Sequence, residues 1–246
     1  MKNTVYLRGM KIDNINKALL FDELEKQIKK KSTNYISITN TEAMFIGSKD
    51  KKHFSYINNS YLSLCDGTGL VIAGKFNGLK IFKYHGPDFF EDILNVGQEF
   101  GWTHYFLGGK LGVAEKLINN FIKKFPNVKI IGNYSPPFRK LTQEEETAMI
   151  DNINKLKPNF VWVSLGLPKQ ERWISKYINH LNTNFMVGVG AAFDFHTDSV
   201  KRAPIFYQKI GMEWLYRTIF ERRLVKRQIR GFRFMFGAIL NKKSKS

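Results

Sequence analysis

A carboxylate next to two glycines follows a short apolar segment of the chain. Asp66 comes directly after residues 61–65 and is followed by Gly67-Thr68-Gly69. Glycines at such a point let the backbone turn tightly and leave space for a ligand, and a carboxylate there could accept a proton from a hydroxyl nucleophile. The same residues also suit a turn or a helix cap, so both roles of Asp66 stay open.

A second pair of glycines links a predicted strand to a predicted helix. Gly108 and Gly109 precede Lys110 at this junction. The free N–H groups and the partial positive charge at the start of a helix suit a phosphate group. The pair lacks both the dinucleotide fingerprint and the Walker spacing, so it indicates phosphate or nucleotide contact without identifying the ligand.

Polar residues also follow two later predicted strands. Lys169, Gln170 and Glu171 occupy the first turn of a predicted helix, where Lys169 could contact a phosphate and Glu171 could interact with the helix dipole. Asp194 closely follows the small residues Gly190-Ala191-Ala192 and could hold a sugar hydroxyl. A turn-capping role for Asp194 is the alternative.

Other catalytic chemistries find no support in the sequence. The five histidines show no metal-ligand spacing, and no Asp-x-Asp pair follows a predicted strand. The single cysteine, Cys65, excludes a disulfide framework and a Cys-rich zinc site, and we expect it to be a packed thiol. No Gly-x-Ser-x-Gly elbow is present. The residues therefore indicate neither a metal-ligand cluster nor a metal-held diphosphate, and we expect no cofactor.

Strands and helices alternate along most of the chain. The pattern predicts strands at 4–8, 34–39, 61–65, 103–107, 128–131, 160–165 and 185–189, and helices at 14–30, 41–58, from 86, from about 110 to 125, at 142–156 and at 168–181. Such alternation predicts an α/β fold with a mainly parallel sheet and helices on both faces. Ligands of these folds bind at the carboxyl ends of the strands, where the residues above stand.

The positive charge is concentrated at one end of the sequence. The chain has 246 residues and a net charge of +18, from 39 Lys and Arg against 21 Asp and Glu. Residues 199–246 hold 13 basic and two acidic residues, a net charge of +11. This asymmetry indicates a polyanionic partner, either nucleic acid, an anionic membrane face or a pyrophosphate. A solvated basic face is the alternative.

The C-terminal segment has a different pattern from the rest. Residues 204–240 read as helical, with apolar residues recurring among basic ones, which is typical of a cationic amphipathic helix at a membrane surface. The longest apolar run, 185–193, is well short of the about 20 residues that span a bilayer, and the N-terminal residues lack a signal-peptide pattern. We predict a cytoplasmic protein that either stays soluble or lies on a surface, with an α/β domain at 1–197 and a basic, helical C-terminal appendage at 198–246.

These motifs, in this order, resemble the WecG/TagA/CpsF glycosyltransferases of glycosyltransferase family 26. The matching stretches are Asn40-Thr41-Glu42, Leu64-Cys65-Asp66-Gly67-Thr68-Gly69, Gly86-Pro87-Asp88, Phe106-Leu107-Gly108-Gly109-Lys110, residues 165–171 and 188–195, Lys201-Arg202-Ala203-Pro204, and Gly211-Met212-Glu213-Trp214-Leu215-Tyr216-Arg217. The resemblance covers nearly the whole chain. The Pro-Lys-Gln-Glu, Lys-Arg-Ala-Pro and Glu-Trp-Leu-Tyr-Arg runs are each specific.

The resemblance implies a Rossmann-like, metal-independent, inverting transferase. Such an enzyme moves a sugar, of the N-acetylmannosamine type or a related one, from a UDP-sugar donor to a polyprenyl-diphosphate-linked sugar acceptor, in the synthesis of teichoic acid or another surface polysaccharide. The resemblance also implies that the α/β domain is catalytic and that the C-terminal appendage associates with an anionic membrane surface, so that the enzyme works peripherally on the inner face of the cell membrane. A homo-oligomer formed through the apolar C-terminal segment, when off the membrane, is compatible with this reading.

The resemblance also assigns roles to individual residues. Asp66 resembles the family's proposed general base. Cations must stabilise the departing UDP if no metal ion does so. Arg217, Arg222 and Arg223 are the candidates, because guanidinium groups bind diphosphate oxygens in a bidentate manner. The residues expected to bind substrate are Thr39, Asn40, Gly67, Gly108, Gly109, Lys169, Gln170 and Asp194. The family's first motif usually reads Thr-x-Asn-x-Glu, but Ile38 stands at the Thr position here, and Thr39 is its neighbour.

Two other functions remain as alternatives. The first is a nucleic-acid-binding α/β protein whose basic C-terminal segment binds backbone phosphates. The second is a non-catalytic nucleotide-sugar sensor. Polar and glycine residues gathered at the strand ends favour a small-ligand site over a nucleic-acid-binding surface, and they leave the sensor open. We therefore expect no nucleic-acid partner.

Overall fold

The computed structural model describes residues 2–197, 203–204, 206–207, 216, 218 and 224–240. The strands among these residues are β1 (Asn3–Leu7), β2 (Met10–Asn14), β3 (Asn34–Thr39), β4 (Leu62–Cys65), β5 (Thr103–Gly108), β6 (Lys129–Tyr134), β7 (Phe160–Ser164) and β8 (Phe185–Gly188). The helices are α1 (Lys17–Lys29), α2 (Thr41–Gly47), α3 (Lys51–Asn59), α4 (Thr68–Phe76), α5 (Gly86–Phe100), α6 (Val113–Lys124), α7 (Gln143–Leu156), α8 (Lys169–Tyr177), α9 (Ala192–Phe195) and α10 (Val225–Leu240).

Six of the strands form one sheet, in the order β4-β3-β8-β7-β5-β6. The pairs β3–β8, β8–β7, β7–β5 and β5–β6 are parallel. Phe185 of β8 lies opposite Asn34 of β3 on one side and opposite Phe160 of β7 on the other. Strands β1 and β2 form a separate antiparallel hairpin. The predicted α/β fold, with a mainly parallel sheet flanked by helices and a helical C-terminal segment, is confirmed.

The chain divides into two compact units. The first unit contains the described residues of 1–15, 37–85 and 201–246, and the second contains 16–36 and the described residues of 86–200. The first unit thus holds α10 together with the strand ends that carry Asn40 and Asp66. The predicted domain boundary between residues 197 and 198 lies at the edge of the described residues and stays a prediction.

Aromatic side chains fill the core of the second unit. Phe90 of α5 is fully buried and contacts Phe106, Trp162 and Phe193, with ring centroids 5.5, 4.7 and 5.6 Å away. The pairs with Phe106 and Trp162 are edge-to-face, and such pairs contribute about 0.5–1.5 kcal/mol each beyond their buried area. This core supports the strands β5 and β7, and the glycine pair stands at the carboxyl end of β5.

A buried carboxylate joins the hairpin to the sheet in the first unit. Asp13 of β2 accepts hydrogen bonds from the Thr4 hydroxyl at 2.5 Å and from the Ser63 N–H of β4 at 2.8 Å. The ammonium groups of Lys2 and Lys11 lie 3.5 and 3.7 Å from the same carboxylate. Strand β2 was not predicted, because its alternating pattern contains only two apolar residues, Met10 and Ile12.

One helix prediction was also wrong, and one helix was not predicted. The single helix predicted over 41–58 is broken into α2 and α3, because Asp50 interrupts it and caps α3 by accepting from the Lys52 and His53 N–H groups. Helix α4 was not predicted at all. Its two glycines, Gly69 and Gly74, lower helix propensity, and the run Asp66-Gly67-Thr68-Gly69 is typical of a turn.

Burial of His104 should make the fold sensitive to acid. This imidazole is fully buried, the Trp162 indole N–H donates to its Nδ1 at 3.2 Å, and burial lowers the pKa of His104 to about 3. Unfolded histidine binds a proton below about pH 6.5, whereas folded His104 does not do so until much lower pH. Stability should therefore fall as pH drops below about 6.5, by at most about 1.4 kcal/mol per pH unit from this group.

Urea unfolding between pH 7 and pH 5 checks this expectation. We expect His104→Leu to lose less stability over this interval than the wild-type protein, by about 1–2 kcal/mol. His180→Leu, which alters an exposed histidine, should keep the wild-type slope. If the free energy of unfolding depends on pH equally in the wild type and in His104→Leu, burial of His104 is not the cause of the acid sensitivity.

Candidate active site

Strands β3 and β4 end side by side in the first unit. The Asp66 N–H donates to the Thr39 carbonyl at 2.7 Å, so Asn40 and Asp66 begin neighbouring connections at the carboxyl end of the sheet. The Asp66 side chain is 21% exposed. A carboxylate in this position is accessible to a ligand and is held by its backbone.

Thr39 lies in a buried chain of hydroxyl groups. Its Oγ1 is 2.8 Å from Ser37 Oγ and 2.9 Å from Ser63 Oγ, and the residue has no exposed surface. The chain of hydroxyls therefore links β3 to β4. A substrate contact by Thr39 stays a prediction, and the geometry gives this residue a part in aligning the two strands.

Gly67 starts helix α4 in a conformation that favours glycine. Its φ is +102°, a region that L side chains rarely adopt. A Cβ atom on Gly67 would meet no heavy atom within 4 Å. The backbone conformation therefore requires glycine here, and the open space beside it is available to a ligand.

His85 lies next to Asp66, although the sequence analysis did not place it in the site. Its Nε2 is 3.8 Å from Asp66 Oδ1, and its side chain is 20% exposed. The backbone brings it there, because residues Cys65 and Lys83 form a parallel bridge and the Tyr84 N–H donates to the Cys65 carbonyl at 2.8 Å. The available sequence signal was its place directly before Gly86-Pro87-Asp88.

Cys65 is buried, as expected for a packed thiol. Burial raises the pKa of Cys65, and the neighbouring Asp66 carboxylate raises it further. The thiol therefore keeps its proton and is a poor nucleophile.

The first turn of α2 carries a polar cap and a buried carboxylate. Asn40 caps the helix through its Oδ1, which accepts from the Ala43 N–H at 3.0 Å. Glu42 is 7% exposed and binds two guanidinium groups of α10, with Arg227 Nε at 2.7 Å and Arg230 Nη1 at 3.3 Å. Burial raises the pKa of Glu42, and the two guanidinium charges act in the opposite direction. The ion pairs fasten α10 to α2.

Close packing supports the same attachment. A Cβ on Gly231 of α10 would lie 2.5 Å from Thr41 Oγ1 of α2, so the two helices approach more closely than a larger residue would allow. The Asn77 side chain, just after α4, donates to the Ala238 carbonyl at 2.9 Å. Gly231, Phe234 and Ala238 form the buried side of α10.

The opposite side of α10 is exposed and both apolar and basic. Val225, Ile229, Phe236 and Leu240 are 41%, 45%, 55% and 80% exposed, and Lys226 and Arg233 are exposed beside them. Their spacing brings them to one side of the helix. Within the parts of the chain that the structure describes, none of the helices has the length and apolar character needed to cross a membrane. We call this side of α10 the amphipathic face.

In the second unit, the glycine pair lies where β5 and β7 end. A Cβ on Gly108 would lie 2.5 Å from the Ser164 carbonyl oxygen, and the Gly109 N–H donates to that oxygen at 3.2 Å. The Ser135 hydroxyl donates to the Gly108 carbonyl at 3.3 Å. Close approach of the backbones therefore requires Gly108, and its predicted phosphate contact stays a prediction.

Gln170 fixes the loop after β8. It is 4% exposed, its Oε1 accepts from the Gly190 N–H at 2.9 Å, and its Nε2 donates to Glu171 Oε1 at 2.9 Å. The Ser164 hydroxyl donates to the Gly190 carbonyl at 2.6 Å. This loop leads to Asp194, which is half-buried, whereas Lys169 is exposed. The contacts of Gln170 give it a positioning role, and direct substrate contact by Gln170, Lys169 or Asp194 stays a prediction.

The three predicted arginines Arg217, Arg222 and Arg223 lie outside the described residues. Among the residues that are described, no three His, Cys, Asp or Glu side chains gather closely enough to hold a metal ion. Metal independence stays a prediction.

The Glu42 ion pairs can be tested through the local stability of α10. Glu42→Gln removes the charge that binds Arg227 and Arg230. Breaking these partly buried ion pairs should lower the local stability of α10 by about 1–3 kcal/mol. Trypsin cleavage within α10, mapped by mass spectrometry, should then accelerate by roughly 10-fold or more. Glu115→Gln, on the exposed first turn of α6, is the control. Unchanged cleavage in Glu42→Gln would show that the pairs do not hold the helix.

Comparison with known proteins identifies the family. A sequence profile described as "Glycosyl transferase WecG/TagA/CpsF family" matches residues 5–246. An N-acetylglucosaminyldiphosphoundecaprenol N-acetyl-beta-D-mannosaminyltransferase of Bacillus subtilis (strain 168) is 30% identical over 208 residues, covering 84% of this chain and 79% of the relative. A protein of the same description from Staphylococcus aureus (strain NCTC 8325 / PS 47) is 24% identical over 226 residues, covering 91% and 87%. The chain therefore belongs to the WecG/TagA/CpsF family of glycosyltransferases.

Proposed function

We propose that the protein transfers an N-acetylmannosamine-type sugar from a UDP donor to a polyprenyl-diphosphate-linked N-acetylglucosamine acceptor. The two relatives are named for N-acetylmannosaminyl transfer to N-acetylglucosaminyldiphosphoundecaprenol, and this chain spans most of each. The observation that carries the proposal is the partly exposed Asp66 carboxylate at the carboxyl end of β4. The biosynthetic role that follows is teichoic acid or related cell-surface polysaccharide synthesis.

Asp66 is the general base in this mechanism. It removes the proton from the acceptor hydroxyl while that oxygen bonds to the anomeric carbon of the donor sugar. The bond from the anomeric carbon to the diphosphate breaks on the opposite side, and its electron pair leaves with UDP. A single displacement of this kind inverts the anomeric centre and needs one base.

The charge that develops on UDP requires cations nearby. Arg227 and Arg230 already bind Glu42, so Arg217, Arg222 and Arg223 remain the proposed partners of the leaving diphosphate. No metal ion is needed under this proposal. In the second unit, Gly108, Gly109 and Asp194 are the proposed substrate-binding residues.

The amphipathic face of α10 is the proposed membrane contact. Basic residues near an anionic lipid surface contribute about 1 kcal/mol each, and apolar side chains such as Ile229 and Phe236 add to this when they enter the interface. A peripheral position on the inner face of the cell membrane would bring the enzyme to its lipid-linked acceptor. For the nucleic-acid-binding alternative, no contact or family relationship provides specific support.

Substitution of the proposed base tests the mechanism. Asp66→Asn should lower turnover by a factor of about 10²–10⁴ while donor binding persists, because the amide cannot accept the proton. Turnover is measured by mass spectrometry with a panel of UDP-sugars and a synthetic polyprenyl-diphosphate-N-acetylglucosamine acceptor. Asp22→Asn alters an exposed carboxylate on α1 and should have no effect. Wild-type turnover in Asp66→Asn would remove this residue from the mechanism.

Substitutions on the amphipathic face test the membrane contact. Because α10 also packs against α2, truncation would damage the fold, and surface changes are the better test. Ile229→Gln with Phe236→Gln should weaken binding to anionic vesicles by 10-fold or more, given about 1.5–3 kcal/mol for each buried apolar side chain. Phe138→Gln, at a residue that is 91% exposed elsewhere, is the matched control. Equal vesicle binding by the double variant and the wild type would exclude this face as the contact.

A further inference from the structure

His85 and Asp66 face each other at the end of β4. The His85 Nε2 and Asp66 Oδ1 atoms are 3.8 Å apart, and the side chains are 20% and 21% exposed. Neither group is enclosed in the core, so both can exchange protons with a bound substrate or with water. Catalytic hydrogen bonds are often long in unliganded enzymes and shorten when substrate binds.

Backbone hydrogen bonds hold together the two segments that carry these side chains. The Asp66 N–H donates to the Thr39 carbonyl at 2.7 Å, and the Tyr84 N–H donates to the Cys65 carbonyl at 2.8 Å. The bridge between Cys65 and Lys83 adds a second link between the same two segments. The pair is therefore positioned before any substrate arrives, as efficient proton transfer requires.

Two further titratable groups belong to this corner of the first unit. The Cys65 thiol is buried, and its pKa is raised by burial and by the Asp66 carboxylate, so it cannot take up a proton. The Lys83 ammonium lowers the pKa of Cys65 and therefore acts against those two effects. An imidazole, by contrast, can accept a proton at its unprotonated ring nitrogen.

From this geometry we infer that His85 is a positioning residue that acts through Asp66 and relays its proton. The inference rests on the proposed function. Asp66 takes the proton from the acceptor hydroxyl as the new glycosidic bond forms, and the donor's bond to UDP breaks. The proton then passes from the Asp66 carboxyl group to the neutral Nε2 of His85 and from there to water. Asp66 is thereby returned to its carboxylate form for the next turnover.

Two substitutions separate a proton relay from a purely structural role. His85→Gln keeps a side chain that can hold Asp66 by a hydrogen bond but cannot take up its proton, whereas His85→Ala leaves space for added imidazole. A relay predicts that both variants lose kcat on the order of 10²-fold with little change in KM. It also predicts that imidazole in the buffer raises the kcat of His85→Ala several-fold and leaves the kcat of His85→Gln unchanged.

The controls keep the result interpretable. His180→Ala alters an exposed histidine and should keep wild-type kcat with or without imidazole, while Asp66→Asn should be impaired and not restored by imidazole. Near-wild-type kcat in His85→Gln, or no imidazole effect on His85→Ala, would overturn the relay. If Asp66→Asn is impaired but the His85 variants are fully active, only the relay fails; if Asp66→Asn is fully active, the proposed base itself fails.

Discussion

The arrangement of the first unit depends on a buried carboxylate that binds two guanidinium groups. Glu42 stands in the first turn of α2 and contacts Arg227 and Arg230 of α10, 188 residues further along the chain in the case of Arg230. A carboxylate that is 7% exposed would be costly to bury without such partners. Because Asn40 caps the same helix at the end of β3, α2 both receives the basic C-terminal helix and begins at this strand end. The orientation of α10 follows, with one side packed on α2 and α4 and the amphipathic face in solvent.

The motif residues divide into two physical classes. Thr39, Glu42 and Gln170 are buried, and their polar atoms are engaged with the protein itself. Asp66, Asn40 and Asp194 are only partly buried, and Lys169 is exposed. Buried polar groups must be hydrogen-bonded, which makes them suitable for shaping loops and strand ends. The partly exposed groups are accessible to a ligand, and this difference favours the proposed general-base role of Asp66 over the same role for Glu42 or Glu171.

Sequence patterns predicted most of the sheet but not the connections of the first unit. Strand β3 was predicted with its observed bounds because its apolar residues are flanked by turn-forming ones. Strand β2 was missed because its alternation includes only two apolar residues, Met10 and Ile12, and helix α4 was missed because its glycines weaken the helical pattern. The break between α2 and α3 was missed because a capping aspartate, Asp50, is a weak signal inside a long helical pattern. These errors are concentrated in the unit where tertiary contacts replace local preference.

The sequence by itself determined the fold class, the family and the placement of Asp66, Gly108 and Gln170 at or after the carboxyl ends of strands. Each of these depends on local periodicity or on a contiguous motif, which neighbouring residues specify. Only the tertiary structure decided that His85 faces Asp66 and that Glu42 binds Arg227 and Arg230. It also decided that Gln170 is buried against Gly190. These contacts join segments that are distant in the chain, and only the packing of strands and helices brings them within hydrogen-bonding or ion-pairing distance.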